Sequence, residues 1–502
     1  MKKTLSYYIA ALRRSAQLLS APALTADPEV DTLTYDTRTL SGASLFICKG
    51  AHFKEEYLRF AAEHGAVAYV SETAYPVELP CILVRDIRFA MPILAKLHFD
   101  AADEKLCKLG ITGTKGKSTT AYFVRAILDK YMQRTGGKPC AVLSSIDNYD
   151  GETLEESHLT TPESVELFRH FAAAVRSGIT HLVMEASSQG LKYDRLDGVT
   201  FEAAAFLNVG KDHISPIEHP DFADYFASKL KIFDHCRKAV LNYDIPQREE
   251  ALAYIKGRVP VITFGRTEGA DVWGHDLQKT GDGFSFIADF EGKSEPFSIC
   301  IPGIFNVDNA LAAIALCRAA GIPTEDIRAG LAVAKVSGRM EVYGSKDGRV
   351  TVIVDYAHNK MSFEALFDSV RREYPDRSIV AVYGCPGGKA QGRREDLPEV
   401  SGKYSSCVIV TEEDSGEEPF EKIAADITSH LPESTPRRVI PDRGDAIREA
   451  ILDLGQDSVI LVTGKGEETR QKRGTLYIDC PSDVDYTKQY LEQYDKKQEA
   501  KV

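Results

Sequence analysis

A chain of 502 residues is too long for a single hydrophobic core, so it divides into several domains. Its 43% hydrophobic and 27% charged residues are ordinary for a globular protein, and a formal net charge of -13 excludes a general nucleic-acid surface while leaving room for a local basic pocket. Ten cysteines scattered from Cys48 to Cys480, with no CxxC pair, argue for reduced thiols and against a disulfide framework or zinc site.

The opening stretch MKKTLSYYIAALRRSAQLL imitates a secretion signal, but Arg13 and Arg14 interrupt its apolar run, so it reads as an amphipathic helix. GASLFICKG reads as a strand between Gly42 and Gly50; YLRFAAEHGAVAYVS reads as a helix, a stop at Gly65, then a strand. From Leu106 the pattern alternates. CKLGI is a short strand, and Thr119–Tyr131 has helical spacing, with Phe123, Ala126, Ile127 and Lys130 on one side. HLVME, AAAFLNV and KAVLNYD follow as further strands, which predicts a parallel sheet with helices on both faces. GFSFIADFEGKSEPFSIC reads as a hairpin, and FNVDNALAAIALCRAAG as a helix stopped by Gly321. The alternation restarts with VTVIVDYAH, SIVAVYGC, SCVIVT and SVILVTGKG.

The expected architecture is α/β with three domains. A smaller N-terminal α/β domain spans 1–100. A central P-loop-type domain, with a mainly parallel sheet and helices on both faces, spans 101–336. A Rossmann-like C-terminal α/β domain spans 337–502. No segment reaches the roughly 18 apolar residues of a membrane span, so a cytoplasmic protein is expected; a monomer is expected as well.

Ligands of open α/β sheets gather at the carboxyl ends of strands. At one such end stands ITGTKGKSTTAYF, Ile111 to Phe123. The pattern GxxxxGK[ST] would put its first glycine at Ile111, so the match is incomplete. Gly113 and Gly116 still let backbone N–H groups approach phosphate oxygens, and a helix N-terminus adds positive potential. Lys117 is placed to reach β- and γ-phosphates, and Ser118 to ligate Mg²⁺. The plainer reading is an exposed lysine on a flexible turn; the strand before and the helix after weigh against it. Magnesium takes one or two carboxylates. Glu185, ending HLVME, and His213, in NVGKDHIS, would each singly be an ordinary surface residue. At strand ends of the same predicted sheet, they read together as a metal site.

The segments GTKGKST, MEASSQGL, FLNVGKDH, IPGIFNVDNALAA, SGRMEVY, DYAHNK and GKGEE, in this order and spacing, resemble the Mur ligases. Within that family the resemblance is to the MurE type, the tripeptide synthetases, and it covers nearly the whole chain. YDTRTLSGASLFICKG looks like their uridine-binding opening and TTPES like their muramoyl-peptide contact.

The resemblance implies ATP-dependent amide formation. A phosphoryl group activates a carboxylate of a UDP-N-acetylmuramoyl-dipeptide as an acyl phosphate, and the amine of a diamino acid displaces phosphate. It implies Lys117, Lys229 and His213 as catalytic residues. ATP would be held by Gly113, Thr114, Gly116, Lys117, Ser118, Thr119, Asn306, Arg339, Asp355 and His358. Mg²⁺ would be held by Ser118, Glu185, His213 and a carbamylated Lys229 (N6-carboxylysine). The UDP-linked substrate would meet Thr37, Arg38, Thr160, Thr161, Ser188 and Arg195. The amino acid would meet Arg394, Glu413, Asp414, Gly464 and Glu468. Arg393, beside Arg394, shares its claim on a carboxylate.

The chain departs from the family at several positions. Lys115 stands where asparagine is usual, Gln189 and Glu467 replace histidines, and SSIDN at Ser144 replaces a glycine-rich turn. A DNPR stretch that reads meso-diaminopimelate is here EDSG, Glu413 to Gly416. Its arginine, suited to bidentate capture of the distal carboxylate, becomes Gly416, among Glu412, Glu417, Glu418, Glu467 and Glu468. L-lysine or a similar diamino acid is therefore expected, with meso-diaminopimelate as the alternative. Other readings are a folylpolyglutamate-synthetase-like ligase, against which TTPES and the uridine-like opening argue, and a non-catalytic cell-wall scaffold. A regulatory GTPase would need NKxD, and Asn359-Lys360 is followed by Met361-Ser362.

Overall fold

The computed structural model describes residues 3–500 except 51, 52, 158, 213, 216, 217 and 282. Three large sheets follow one another along the chain. The first has the order Leu18–Ser20, Cys81–Val84, Ala66–Ser71, Ser44–Ile47, Thr32–Thr34, and only its Leu18–Ser20 edge runs antiparallel. The amphipathic N-terminal helix, Leu5–Arg14, buries Leu5, Tyr8, Ile9 and Leu12, packing against Ile87–His98 and leaving Arg13 and Arg14 outside.

The central sheet has eleven strands. Its parallel heart runs Ala141–Leu143, His181–Glu185, Cys107–Thr112, Ala203–Phe206, Ala239–Asn242, Val261–Gly265. Alternate side chains serve opposite faces, as the pleat requires. Leu109, Ile111 and Val183 join the core of the helices Lys117–Thr135 and Phe305–Ala319, while Leu182 and Met184 join that of Ser164–Arg176. Helices thus cover both faces, in agreement with the near-continuous apolar strands of the sequence. The expected hairpin is present as Gly283–Phe290 and Lys293–Ile299. The strand Val272–Thr280, which sequence reading did not name, ties it to the parallel strands.

The third sheet runs Glu341–Gly344, Val350–Asp355, Ser458–Thr463, Ser378–Tyr383, Cys407–Val410, Arg437–Val439, parallel except at its first strand. The four predicted strands are its middle. The helices Lys360–Glu373 and Arg393–Tyr404 cover one face, and Arg443–Leu452 and Asp483–Glu499 the other. Among the described residues no helix is long and apolar enough to cross a membrane.

Candidate active site

The loop after Cys107–Thr112 turns into a helix that starts at Lys117, two residues earlier than its apolar spacing suggests. Gly116 makes that start possible. Its φ is +81°, and a Cβ there would collide with Asn309 Oδ1. The loop is held from several sides. Asn208 accepts from Lys115 N (2.9 Å) and donates to Lys115 O (3.1 Å). Thr114 Oγ1 meets Tyr225 OH at 3.1 Å and accepts from Gly210 N at 3.1 Å. Lys117 curls back so that Nζ donates to Gly113 O (3.0 Å) and Thr114 O (3.3 Å). Thr119 is buried on the helix behind.

A cleft of about 370 Å³ opens above the loop, lined among others by Lys117, Ser118, Glu185, Lys229, Arg339 and His358. Glu185 is fully buried; its Oε1 accepts from Ser145 N (2.9 Å) and Ser145 Oγ (3.3 Å). Its Oε2 is enclosed with no hydrogen-bond partner. Ser145 Oγ also meets Ser118 Oγ at 3.0 Å, and Arg339 donates to Ser118 Oγ at 3.2 Å. An unsatisfied carboxylate oxygen beside a serine hydroxyl fits a hard cation. His213, the other expected ligand, lies outside the described residues. Among the described residues no cluster of three or more His, Cys, Asp or Glu is poised to hold a metal.

Lys229, 1% exposed, reaches the same place from the helix Phe222–Leu230 and donates to Gly113 O at 2.9 Å. Burial, with Lys117 close by, drives its pKa well below the ordinary lysine value. Burial also lowers Lys117, and brings Lys115 down to about 7. His358 donates Nδ1–H to Tyr356 O (2.7 Å), which leaves Nε2 as an acceptor facing Lys115 Nζ at 3.3 Å. Burial, then Lys115, pushes His358 well below its ordinary pKa.

Not every expected ligand faces this cleft. Asn306 is buried, donating to Pro302 O at 2.6 Å, and reaches the loop only through Asn309, which donates to it at 2.9 Å and underlies Gly116. Asp355 accepts from Met340 N (2.8 Å) and Ala357 N (2.7 Å), which shapes the approach of Arg339 and His358; burial raises its pKa. Asn208, Ser145 and Asn309 were missed. Asn309 had a signal, being three residues after Asn306 on one helix.

A second cleft of about 630 Å³, lined by Lys49, Phe53, Tyr75, Arg88, Glu163 and Arg195 among others, lies between the first sheet and the central one. Glu163 of TTPES pairs with Lys49 (2.6 Å) and Arg195 (2.9 Å), and Arg195 donates to Thr161 O at 3.0 Å. Arg195 lines both clefts, while Thr160 and Ser188 line the loop cleft. Thr161 is buried, bonded to Glu185 O and to Ser187. Thr37 and Arg38 line neither cleft; Arg38 is exposed and paired with Asp36 at 2.6 Å.

In the third sheet's loops the charges sort by pairing. Arg394 is buried against Glu418 (2.6 Å) and Asp426 (3.4 Å), whereas Arg393 lines the loop cleft. Glu412 is taken by Arg473 at 2.7 Å. Asp414 and Glu468 share Lys465 at 3.1 and 3.0 Å, and Glu468 also accepts from Tyr356 OH at 2.7 Å. Glu413 differs: its Oε2 is enclosed without a hydrogen-bond partner, and burial raises its pKa to about 7. Gly464, at φ +111°, leaves the room that this carboxylate fills. Gly416 is held by Lys472 O and Gly474 N of the hairpin Arg470–Asp479, with no side chain to offer.

Residues 111–317 match the model of the Mur ligase middle domain, and residues 338–466 that of the Mur ligase glutamate ligase domain. A UDP-N-acetylmuramoyl-L-alanyl-D-glutamate–L-lysine ligase of Enterococcus faecalis is 38% identical over 454 residues, 88% of each chain. The ligase of the same name from Streptococcus thermophilus is 37% identical over 472 residues, 92% of this chain and 93% of that one. In fold, the chain is similar to a solved UDP-N-acetylmuramoyl-L-alanyl-D-glutamate–2,6-diaminopimelate ligase, with a TM-score of 0.64 at 21% identity, covering 99% of this chain and 100% of that one. It is also similar to the MurF ligase of Thermotoga maritima in complex with ADP, with a TM-score of 0.62 at 17% identity, covering 94% and 98%. With both domain models matched in order, and with relatives above 30% identity along most of its length, the chain belongs to the Mur ligase family.

Proposed function

We propose that this chain is an ATP-dependent ligase of peptidoglycan precursor synthesis that joins L-lysine to UDP-N-acetylmuramoyl-L-alanyl-D-glutamate. The observation that carries the reading is the loop cleft itself. Lys117, Arg339 and Arg393 crowd one space with Glu185, whose free oxygen has no partner. That is an arrangement for moving a phosphoryl group, where positioning and charge neutralisation do most of the chemistry.

In this reading the residues of 101–336 bind ATP, those of 1–100 receive the UDP end across the second cleft, and those of 337–502 present the amino acid. Gly113 to Gly116 lay backbone N–H groups along the phosphates, and Lys117 leaves its loop carbonyls for the γ-phosphoryl oxygens. The substrate carboxylate, led in past Thr160 and Arg195, attacks the γ-phosphorus, and ADP departs. Arg339 and Arg393 then face the acyl phosphate. The amine of lysine attacks the acyl carbon, a proton is lost from nitrogen, and phosphate leaves. Ser118, Glu185 and His213 would hold Mg²⁺, which when bound neutralises phosphate charge. Lys229, whose ammonium form burial disfavours, is suited to add CO₂, lose a proton and become an anionic carbamate that would face that ion.

The choice of lysine rests on Glu413 and Gly416. Glu413 holds an enclosed oxygen that no donor meets, fit for an ammonium, and Gly416 leaves no guanidinium for a second carboxylate. A competition assay with equal L-lysine and meso-diaminopimelate, following ATP-dependent phosphate release and product mass, should give at least about tenfold preference for lysine. Preferential incorporation of meso-diaminopimelate would overturn the choice of amino acid. No phosphate release with either would overturn the ligase reading.

A further inference from the structure

The proposed reaction leaves one half-buried lysine of the loop unused. Lys115 sits between Gly113 and Gly116, and its side chain, 22% exposed, lines the same cleft as Lys117. Asn208 grips its backbone on both sides, which fixes the direction of the side chain. Its Nζ lies 3.3 Å from His358 Nε2, a residue 243 positions away in the loop after Val350–Asp355 of the third sheet, and 3.8 Å from Asp212 Oδ2.

Asp212 gathers the same two parts of the molecule. Its carboxylate accepts from Asn359 Nδ2 and, at 3.3 Å, from Arg393 Nη2. One carboxylate of the central part therefore meets Lys115 from its own side and two groups from the C-terminal side. The side chain of Met361, from the C-terminal side, also packs onto the backbone of Gly210, where a Cβ would meet Met361 Cε. Lys117, by contrast, bonds only to carbonyls of its own loop.

We propose that Lys115 is a positioning residue that registers the C-terminal domain on the phosphate loop through His358 and Asp212, and so holds the two parts closed over the cleft. The inference rests on the ligase reading of this cleft. It divides labour between two neighbouring lysines, Lys117 for phosphate and Lys115 for the closing domain. Asparagine at this position is too short to span to His358. Arginine keeps both charge and reach.

The test compares wild type, Lys115→Asn and Lys115→Arg in two measurements. In steady-state kinetics, Lys115→Asn should raise KM for the amino acid by about tenfold, as loss of one contact in a shared charge network does. Lys115→Arg should recover most of the loss. In small-angle X-ray scattering with ADP and Mg²⁺, Lys115→Asn should show a larger radius of gyration than wild type. An unchanged amino-acid KM, or an arginine variant no better than the asparagine one, overturns the proposal. So does identical scattering, which needs no turnover. A wild type that scatters as proposed but ligates nothing overturns the ligase reading instead.

Discussion

Two side chains carry testable consequences by themselves. Lys229 has its amine 2.9 Å from Gly113 O, in surroundings that disfavour the ammonium. Incubation with ¹³C-bicarbonate should give a carbamate ¹³C resonance that Lys229→Ala lacks, and Lys229→Glu should regain a trace of the turnover that Lys229→Ala loses; a wild type without the resonance refutes the modification. Glu413 makes a pH prediction. Its folded pKa, raised from 4.5 to about 7, means that the folded protein holds a proton there that the unfolded chain has already released. Between those values this site lowers stability as pH rises, because the folded state binds more protons. Glu413→Gln should therefore flatten the fall in Tm from pH 5 to pH 7, and parallel Tm profiles for variant and wild type would contradict the assignment. Both effects come from one cause: burial that disfavours the charged form of the group.

The loop and the helix it starts are governed by one backbone conformation. Gly116 combines a left-handed φ with contact against Asn309 Oδ1, so Gly116→Ala pays twice, in strain and in collision. The expected loss is about 1–3 kcal/mol of stability. Because the helix N-terminus must shift, binding of a fluorescent ADP analogue should fall by at least about tenfold. Unchanged nucleotide binding would show that the loop does not hold phosphate in this conformation. The same element explains why the helix begins at Lys117 although its apolar spacing starts later. The first turn, Lys117 to Thr120, faces the cleft and Asn309 rather than a hydrophobic layer.

Over the whole molecule, the third sheet is clasped to the central one by Arg339 on Ser118, the Asp212 cluster, and a Lys279–Glu373 pair at 2.9 Å. The chain crosses between them at Ser337-Gly338-Arg339. Gly338 has φ +66°, and a Cβ there would lie 2.9 Å from Glu467 N, so this crossing is packed against the GKG turn. Gly338→Val should loosen the clasp and leave each sheet's own core intact. Scanning calorimetry should then show the C-terminal part melting earlier and separately, as weakly coupled domains do; a single transition at the wild-type temperature counts against the coupling.

By itself the sequence determined the alternation of strands and helices, the loop, and the family, because each depends on local chemistry. An apolar run of four to six residues makes a buried strand, glycines permit the loop, and motifs keep their spacing. Tertiary structure alone decided how the charges pair. Arg393 and Arg394 are adjacent in sequence, yet one faces the cleft and the other is locked to Glu418. Glu412, Glu413 and Asp414 run consecutively, yet Arg473 and Lys465 claim the outer two. Lys115 looked like a departure in a loop until His358, brought across from another sheet, met it at 3.3 Å. Pairing of charges is a matter of distances of a few ångströms between segments far apart in the chain, and Coulomb energy and burial act on those distances, which no residue spacing encodes.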